Sequence, residues 1–502
     1  MKEKKQDQMR NLPVSKLMLK MGIPMILSMM LQALYNIVDS AFVTSMPGEG
    51  VGQQALNALT YAFPVQIFMI AISIGTGVGV NALVSRYLGE GDREKASLTA
   101  GNGIFLAAMI YVVFLAFGIF AAQPFAASQT NDPVVAEMTF RYLRICCIFA
   151  FGNTFYAVFE KLLQATGRSH LSTIAQVGGA ALNIVLDPIF IYDRGLGLGV
   201  EGAAWATAIG QGVAFLLGLV FHYRFNKEIG KSLKYVRPSG KLILGIYAIG
   251  LPAVIAQALM SVMTLGMNAI LRAFDPLENY VSAYGIYYKI QQFVLFAAFG
   301  LRDAITPIVS YAYGMGSRER VRDGIKFGML YTAVVMAIGT IILEAGATLL
   351  ISAFGGLSSA AQSICLSAMR IISAAFLFAG VSVSSQGVFQ AVGGNLQSLT
   401  VSLLRQAVLV LPVAYGFSLV VKAGNAGDWL IWFTFILAEV VTAAVAVVML
   451  RQLYKKRIAV LGGEEVGRET GAEGAVPVAE GAAENAVAED PSADEKTEKE
   501  DS

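Results

Sequence analysis

Long apolar runs, broken by short polar or charged interruptions, dominate the chain. They fall near 21–44, 55–83, 97–121, 138–162, 171–193, 200–222, 242–272, 280–311, 323–353, 361–390, 396–421 and 427–450. An α-helix rises 1.5 Å per residue, so about 20 apolar residues cross the roughly 30 Å hydrocarbon core of a bilayer. The pattern therefore predicts an all-α integral membrane protein with twelve transmembrane helices. The first run has the basic start of a signal peptide, yet no small-residue cleavage site closes it and Asp39 sits late within it. It reads as a retained first helix.

The runs repeat. Gly22-Ile23-Pro24 returns as Gly250-Leu251-Pro252, and Gly89, Gly91, Arg93 and Glu94 return as Gly314, Gly316, Arg318 and Glu319. Gln164-Ala165-Thr166-Gly167 returns as Gln390-Ala391-Val392-Gly393, again about 226 residues later. Recurrence in one order at one separation predicts two six-helix lobes, residues 21–223 and 242–452, joined by a cytoplasmic linker at 224–241. Six is even, so both lobes enter the membrane in the same direction, related by a pseudo-two-fold axis along the membrane normal. A cavity between such lobes is the natural transport path.

Composition strengthens this picture and narrows the function. Of 502 residues 56% are hydrophobic and 14% charged, with a mean hydropathy of +0.61, outside the range of soluble domains. The overall charge is +2, but the segment from 458 to 502 contributes −10, leaving about +12 on the first 457 residues. That excess is a topology signal rather than nucleic-acid affinity. Lysine and arginine gather in residues 1–20, before the third, seventh and ninth helices, and are missing from 45–54, 122–137 and 354–360. Positively charged loops stay inside, so both termini are expected to be cytoplasmic in a cell-membrane protein. Residues 453–502 form an acidic tail rich in alanine, glycine and glutamate, expected to be disordered.

Several chemistries are excluded. Cys146, Cys147 and Cys365 offer no disulfide framework, and with only His170 and His222 they offer no zinc spacing. Gly230-Lys231-Ser232 lacks the glycine that a phosphate loop needs at 225, where phenylalanine stands. No nucleophile, base and acid can be assembled on so few histidines, so neither an enzyme nor a bound cofactor is expected.

What remains is a few ionisable groups at membrane depth, which are costly there and by default functional. Gln32, Tyr35, Asn36 and Asp39 form a polar stripe on one face of the first helix. Asn183 and Asp187, four apart, share a face of the fifth helix, followed by Pro188, whose ring is expected to disrupt the helix and free the Ile184 carbonyl as a further oxygen ligand. Oxygen ligands from two helices suit a hard cation such as Na+, and a desolvated carboxylate suits H+. The bland alternative is that both acids only hydrogen-bond neighbouring helices. The repeat maps Asp39, Asn183 and Asp187 onto Met267, Leu409 and Val413, so cation coupling is placed in the first lobe. For Lys289, Arg302, Asp303 and Arg405, structural pairing or headgroup contact is preferred to a substrate role. Glu160, Lys161, Glu344 and Glu439 are given little functional weight.

These residues resemble the multidrug and toxic compound extrusion (MATE) family of secondary transporters. The best match is Leu182-Asn183-Ile184-Val185-Leu186-Asp187-Pro188-Ile189-Phe190-Ile191 with Gly199-Val200-Glu201-Gly202-Ala203-Ala204-Trp205-Ala206-Thr207, supported by Leu34-Tyr35-Asn36-Ile37-Val38-Asp39 and both Gly-x-Gly loops. The resemblance implies twelve helices in two lobes and export of organic, often cationic, small molecules in exchange for inward Na+ or H+. It also implies that Asp39, Asn183, Asp187 and Thr207 form the cation site, holding the metal ion if sodium couples. Gln32 and Asn153 would then face the cavity, with Tyr35 and Asn36 beside them. Acids that one branch carries on helices 7 and 10 are missing here, which again favours the first lobe. The expected partners are small molecules and the lipid bilayer, with no nucleic acid, and the protein is expected to be a monomer. The rival readings are a flippase for lipid-linked saccharide or peptidoglycan precursors and a non-transporting membrane scaffold acting through the acidic tail.

Overall fold

A computed structural model describes residues 8–48, 51–274, 279–354 and 358–461. The described residues are mostly helical, with no strand. The long helices follow the predicted runs one for one: α1 Val14–Thr44, α2 Val51–Glu90, α3 Arg93–Ala116, α5 Ser169–Ile191, α6 Val200–Phe225, α7 Gly240–Phe274, α8 Asn279–Gly314, α9 Arg318–Phe354 and α12 Leu430–Leu453. The others are broken. α4 is Pro133–Ile148 then Phe151–Ala165, α10 is Ser359–Ser373 then Phe376–Val392, and α11 is Asn395–Leu403 then Val410–Lys422 across a π-turn.

Among the described residues ten of these, α11 included, are long and apolar enough to cross a membrane, and α10, bent by 55° at its break, makes an eleventh. α4 has the length but carries Glu137, Arg141, Arg144, Glu160 and Lys161. The breaks at 149–150 and 374–375 lie 225 residues apart, so the repeat extends to the irregularities. α2 has 40 residues, about 60 Å of helix and twice the apolar thickness. Pro188 does not break α5; it falls in the last turn, where the helix continues to Ile191.

Two predicted boundaries need correction. α1 starts at Val14 rather than 21, because Val14, Leu17, Met18 and Met21 are all buried and Arg320 Nη2 donates to the carbonyls of Met9 and Leu12 at 2.7 and 3.0 Å. Residues 453–461, expected to be disordered, are instead ordered. A π-turn covers Tyr454–Ile458, Ile458 is fully buried, and Arg457 Nη1 donates to the carbonyls of Val392 and Gly393 at 2.7 and 2.9 Å. The acidic tail from 462 lies outside the described residues.

The halves join at one end. α2 meets α7 so closely at Gly75 and Gly250 that a Cβ on either would overlap the other's carbonyl. Gly89 and Gly314, from the repeated loops, each abut a backbone carbonyl of the opposite half, of Tyr311 and Arg86. Their partners Gly91 and Gly316 turn the chain at φ 82° and 70°, the left-handed region that favours glycine. Ser310 Oγ donates to the Ala82 carbonyl at 2.6 Å, and Gly22 packs on Leu301. A shared core follows, joining Met18, Met21 and Met25 of α1 to Ile305, Val309 and Phe389. At the opposite end the cores separate: one holds first-half residues such as Val43, Ala55 and Val200, another second-half residues such as Leu271, Ala283 and Ile431.

Candidate functional site

The predicted cation residues converge in the first half. Asn183 on α5 is buried, and its Nδ2 donates to Asp187 Oδ1 at 3.4 Å and to Thr207 Oγ1 of α6 at 3.5 Å. Asp187 is fully buried. Asp39 on α1 lies within electrostatic reach of it. Neither aspartate is in an ion pair among the described residues. Three oxygens, Asp39 Oδ1, Asn183 Oδ1 and Asp187 Oδ2, are buried with no hydrogen-bond partner. Buried acceptors are almost always satisfied, and an unpaired one costs about 1–3 kcal/mol, more when charged. Two carboxylates, an amide and a hydroxyl are the donor set of a hard monovalent cation, or of a proton shared between the acids. Among the described residues no three His, Cys, Asp or Glu side chains gather as a transition-metal site does.

A cavity of about 1190 Å³, mouth included, opens in front of this cluster. Asn183 and Thr207 form part of its wall, with Gln32, Tyr35 and Asn153. Gln176 Nε2 donates to Gln32 Oε1 at 3.4 Å, and Asn153 Nδ2 is buried without a partner. The side chain of Asn36 lies outside the described residues. Met29, Ile70, Ile74, Phe296 and Phe299 supply apolar wall, so the cavity combines soft surface with a few oriented polar groups.

Residues given little weight from the sequence close its floor. Lys161 Nζ of α4 lies 2.6 Å from Asp303 Oδ2 of α8 and 3.7 Å from Glu160 Oε1. Both members of the first pair are buried, at 2% and 4% exposure, and they span the two halves. Arg302 Nη2 reaches Asp303 Oδ1 at 3.0 Å, although adjacent residues point about 100° apart on a helix; the long guanidinium arm folds back. No local pattern could pair residues 142 apart, but charges at membrane depth were the available signal. Arg405 pairs with Glu439 at 2.6 Å inside the second half, and Lys289 is exposed on α8. Arg302 lines this cavity together with Lys161, but both are paired with Asp303, and Arg405 with Glu439, so their charge is already matched before any lipid-linked phosphate arrives.

A helical membrane body with a polar-bottomed cavity between two repeated halves defines a membrane transporter rather than an enzyme. The family model MatE matches residues 24–189 and 252–416, once in each half, and the chain belongs to that family, the multidrug and toxic compound extrusion transporters. Among its relatives, the multidrug export protein MepA of Staphylococcus saprophyticus subsp. saprophyticus is 26% identical over 449 residues, covering 89% of this chain and 95% of that protein. MepA of Staphylococcus aureus is 26% identical over 416 residues, covering 80% and 87%. A solved structure described as the outward-facing conformation of a multidrug resistance MATE transporter superposes with a TM-score of 0.84 at 25% identity, over 91% of this chain and 99% of that one.

Proposed function

We propose that the protein exports small organic molecules, many of them cationic, in exchange for Na+ or H+ entering the cell. The observation that carries this reading is the set of three unpaired buried oxygens beside a cavity that reaches both halves. Their unmet demand for a positive partner supports a site that gains and loses a cation. The halves meet at the end carrying the basic loops. If those loops are cytoplasmic, the described state is closed inside and faces out. Cation entry to Asp39 and Asp187 then precedes a shift of α1 against α5 and α6, and the reverse rocking of the halves resets the cavity. Both termini are placed in the cytoplasm, and the working unit is taken to be the monomer.

The energetics are adequate. One charge moving down 100 mV supplies about 2.3 kcal/mol, enough for roughly a 50-fold gradient of a neutral solute. The reading is tested by ethidium efflux from cells carrying Asp39→Asn or Asp187→Asn. Efflux is expected to fall more than tenfold in both. Wild-type efflux in both variants removes the coupling role.

A further inference from the structure

A second, smaller cavity lies wholly within the second half between α7, α8, α11 and α12. Those helices are the repeat mates of α1, α2, α5 and α6, which hold the first-half site. The register agrees: Met260 and Met263 stand where the first half has Gln32 and Tyr35, and Arg405 and Gln406 stand where it has Gly179 and Ala180. The second half has thus lost the aspartates yet kept a pocket, with a different polar set.

That set is incompletely satisfied. Arg405 Nε donates to Glu439 Oε1 at 2.6 Å, which leaves Glu439 Oε2 buried without a partner. Gln291 Oε1 and Gln406 Oε1 are also buried and unpartnered, on side chains only 7% exposed each. Three acceptors from α8, α11 and α12 therefore border one small space without a hydrogen-bond partner, beside the donors of Arg405 and Tyr288. A purely structural ion pair does not need them, and each one destabilises the fold as it stands. Because Arg405 balances Glu439, the pocket asks a ligand for N–H donors more than for charge. Its walls are aromatic, and Phe296 and Phe299 are shared with the central cavity, so the two spaces adjoin.

We propose that this pocket is a second ligand subsite, which takes the amino or amide N–H end of a cargo whose apolar body lies in the central cavity across Phe296 and Phe299. The inference rests on the export reading and adds a specificity rule to it: organic cations bearing N–H groups bind more tightly than those without. The pocket has room for an amino group and a ring edge rather than a whole molecule.

The test is equilibrium binding to purified full-length protein in nanodiscs, with ethidium, which carries aromatic N–H donors, and tetraphenylphosphonium, which has none. Gln406→Leu and Gln291→Leu, made separately, each remove one orphaned acceptor at similar volume. Each is expected to weaken ethidium binding about tenfold more than tetraphenylphosphonium binding, without lowering the melting temperature. Two independent variants guard against one misfolding. Wild-type binding of both cations with an equal effect on the two ligands in both variants overturns the subsite and leaves the export reading standing. Wild-type protein that binds neither cation overturns both.

Discussion

Asp187 is wholly buried, shares one oxygen with Asn183 and leaves the other unmet, which is an unstable arrangement for a residue whose only task is to hold helices together. Removing an unpaired buried charge relieves the fold even as it abolishes a cation site. Asp187→Asn is therefore expected to melt at or above the wild-type temperature while losing efflux. A clear drop in melting temperature instead assigns the carboxylate a structural role. Lys161 is the opposite case, because its carboxylate partner leaves nothing unmet. Lys161→Met alone strands Asp303 with only Arg302 and is expected to cost about 3 kcal/mol, the lower end for a broken buried pair. Lys161→Met with Asp303→Leu recovers only part of that, because Arg302 and Glu160 then lose their partners, and a double-mutant cycle showing additive losses contradicts a direct pair.

At the scale of elements, the twelve runs were legible because length and hydropathy alone set a membrane span. The breaks in α4 and α10 were not, since no proline marks them; they depend on packing that acts across the chain. The first-half site was legible because its polar residues sit at helical spacing. The second pocket was not. The repeat offset pointed to Met267, Leu409 and Val413, all apolar, whereas the polar groups had moved to Arg405, Gln406 and Glu439 nearby. The loops between helices offer a further check. Asp92 caps α3, accepting from the Lys95 N–H at 2.9 Å, and that bond together with the Lys95 ammonium holds its carboxyl below the usual range. A depressed carboxyl contributes stability above its unfolded pKa and loses it as pH falls through the folded value. Asp92→Ala is expected to cost about 0.5–1 kcal/mol at neutral pH and nothing in acid, read by thermal melts at both.

For the whole molecule the two halves touch through glycines and small residues at one end and keep separate cores at the other. Close backbone approach is sensitive to a single methyl group. Gly250→Val therefore wedges α2 from α7 and is expected to raise the population open at that end. Spin-label pairs across the closed end report this as a longer distance, and an unchanged distance distribution contradicts the wedge. Lys161–Asp303 acts on the same junction, because the pair breaks whenever the halves part there. Its sequence separation explains why it was illegible: only the assembled halves bring α4 against α8.

The central claim is that Asp39 and Asp187 in the first half exchange a cation as cargo crosses. The most direct measurement is cargo movement by purified protein in sealed vesicles under a sodium gradient alone and a proton gradient alone, for wild type, Asp39→Asn and Asp187→Asn. The expected result is transport driven by at least one gradient in wild type and by neither in the two variants. Transport in wild type that ignores both gradients, or persists at full rate in both variants, contradicts the claim.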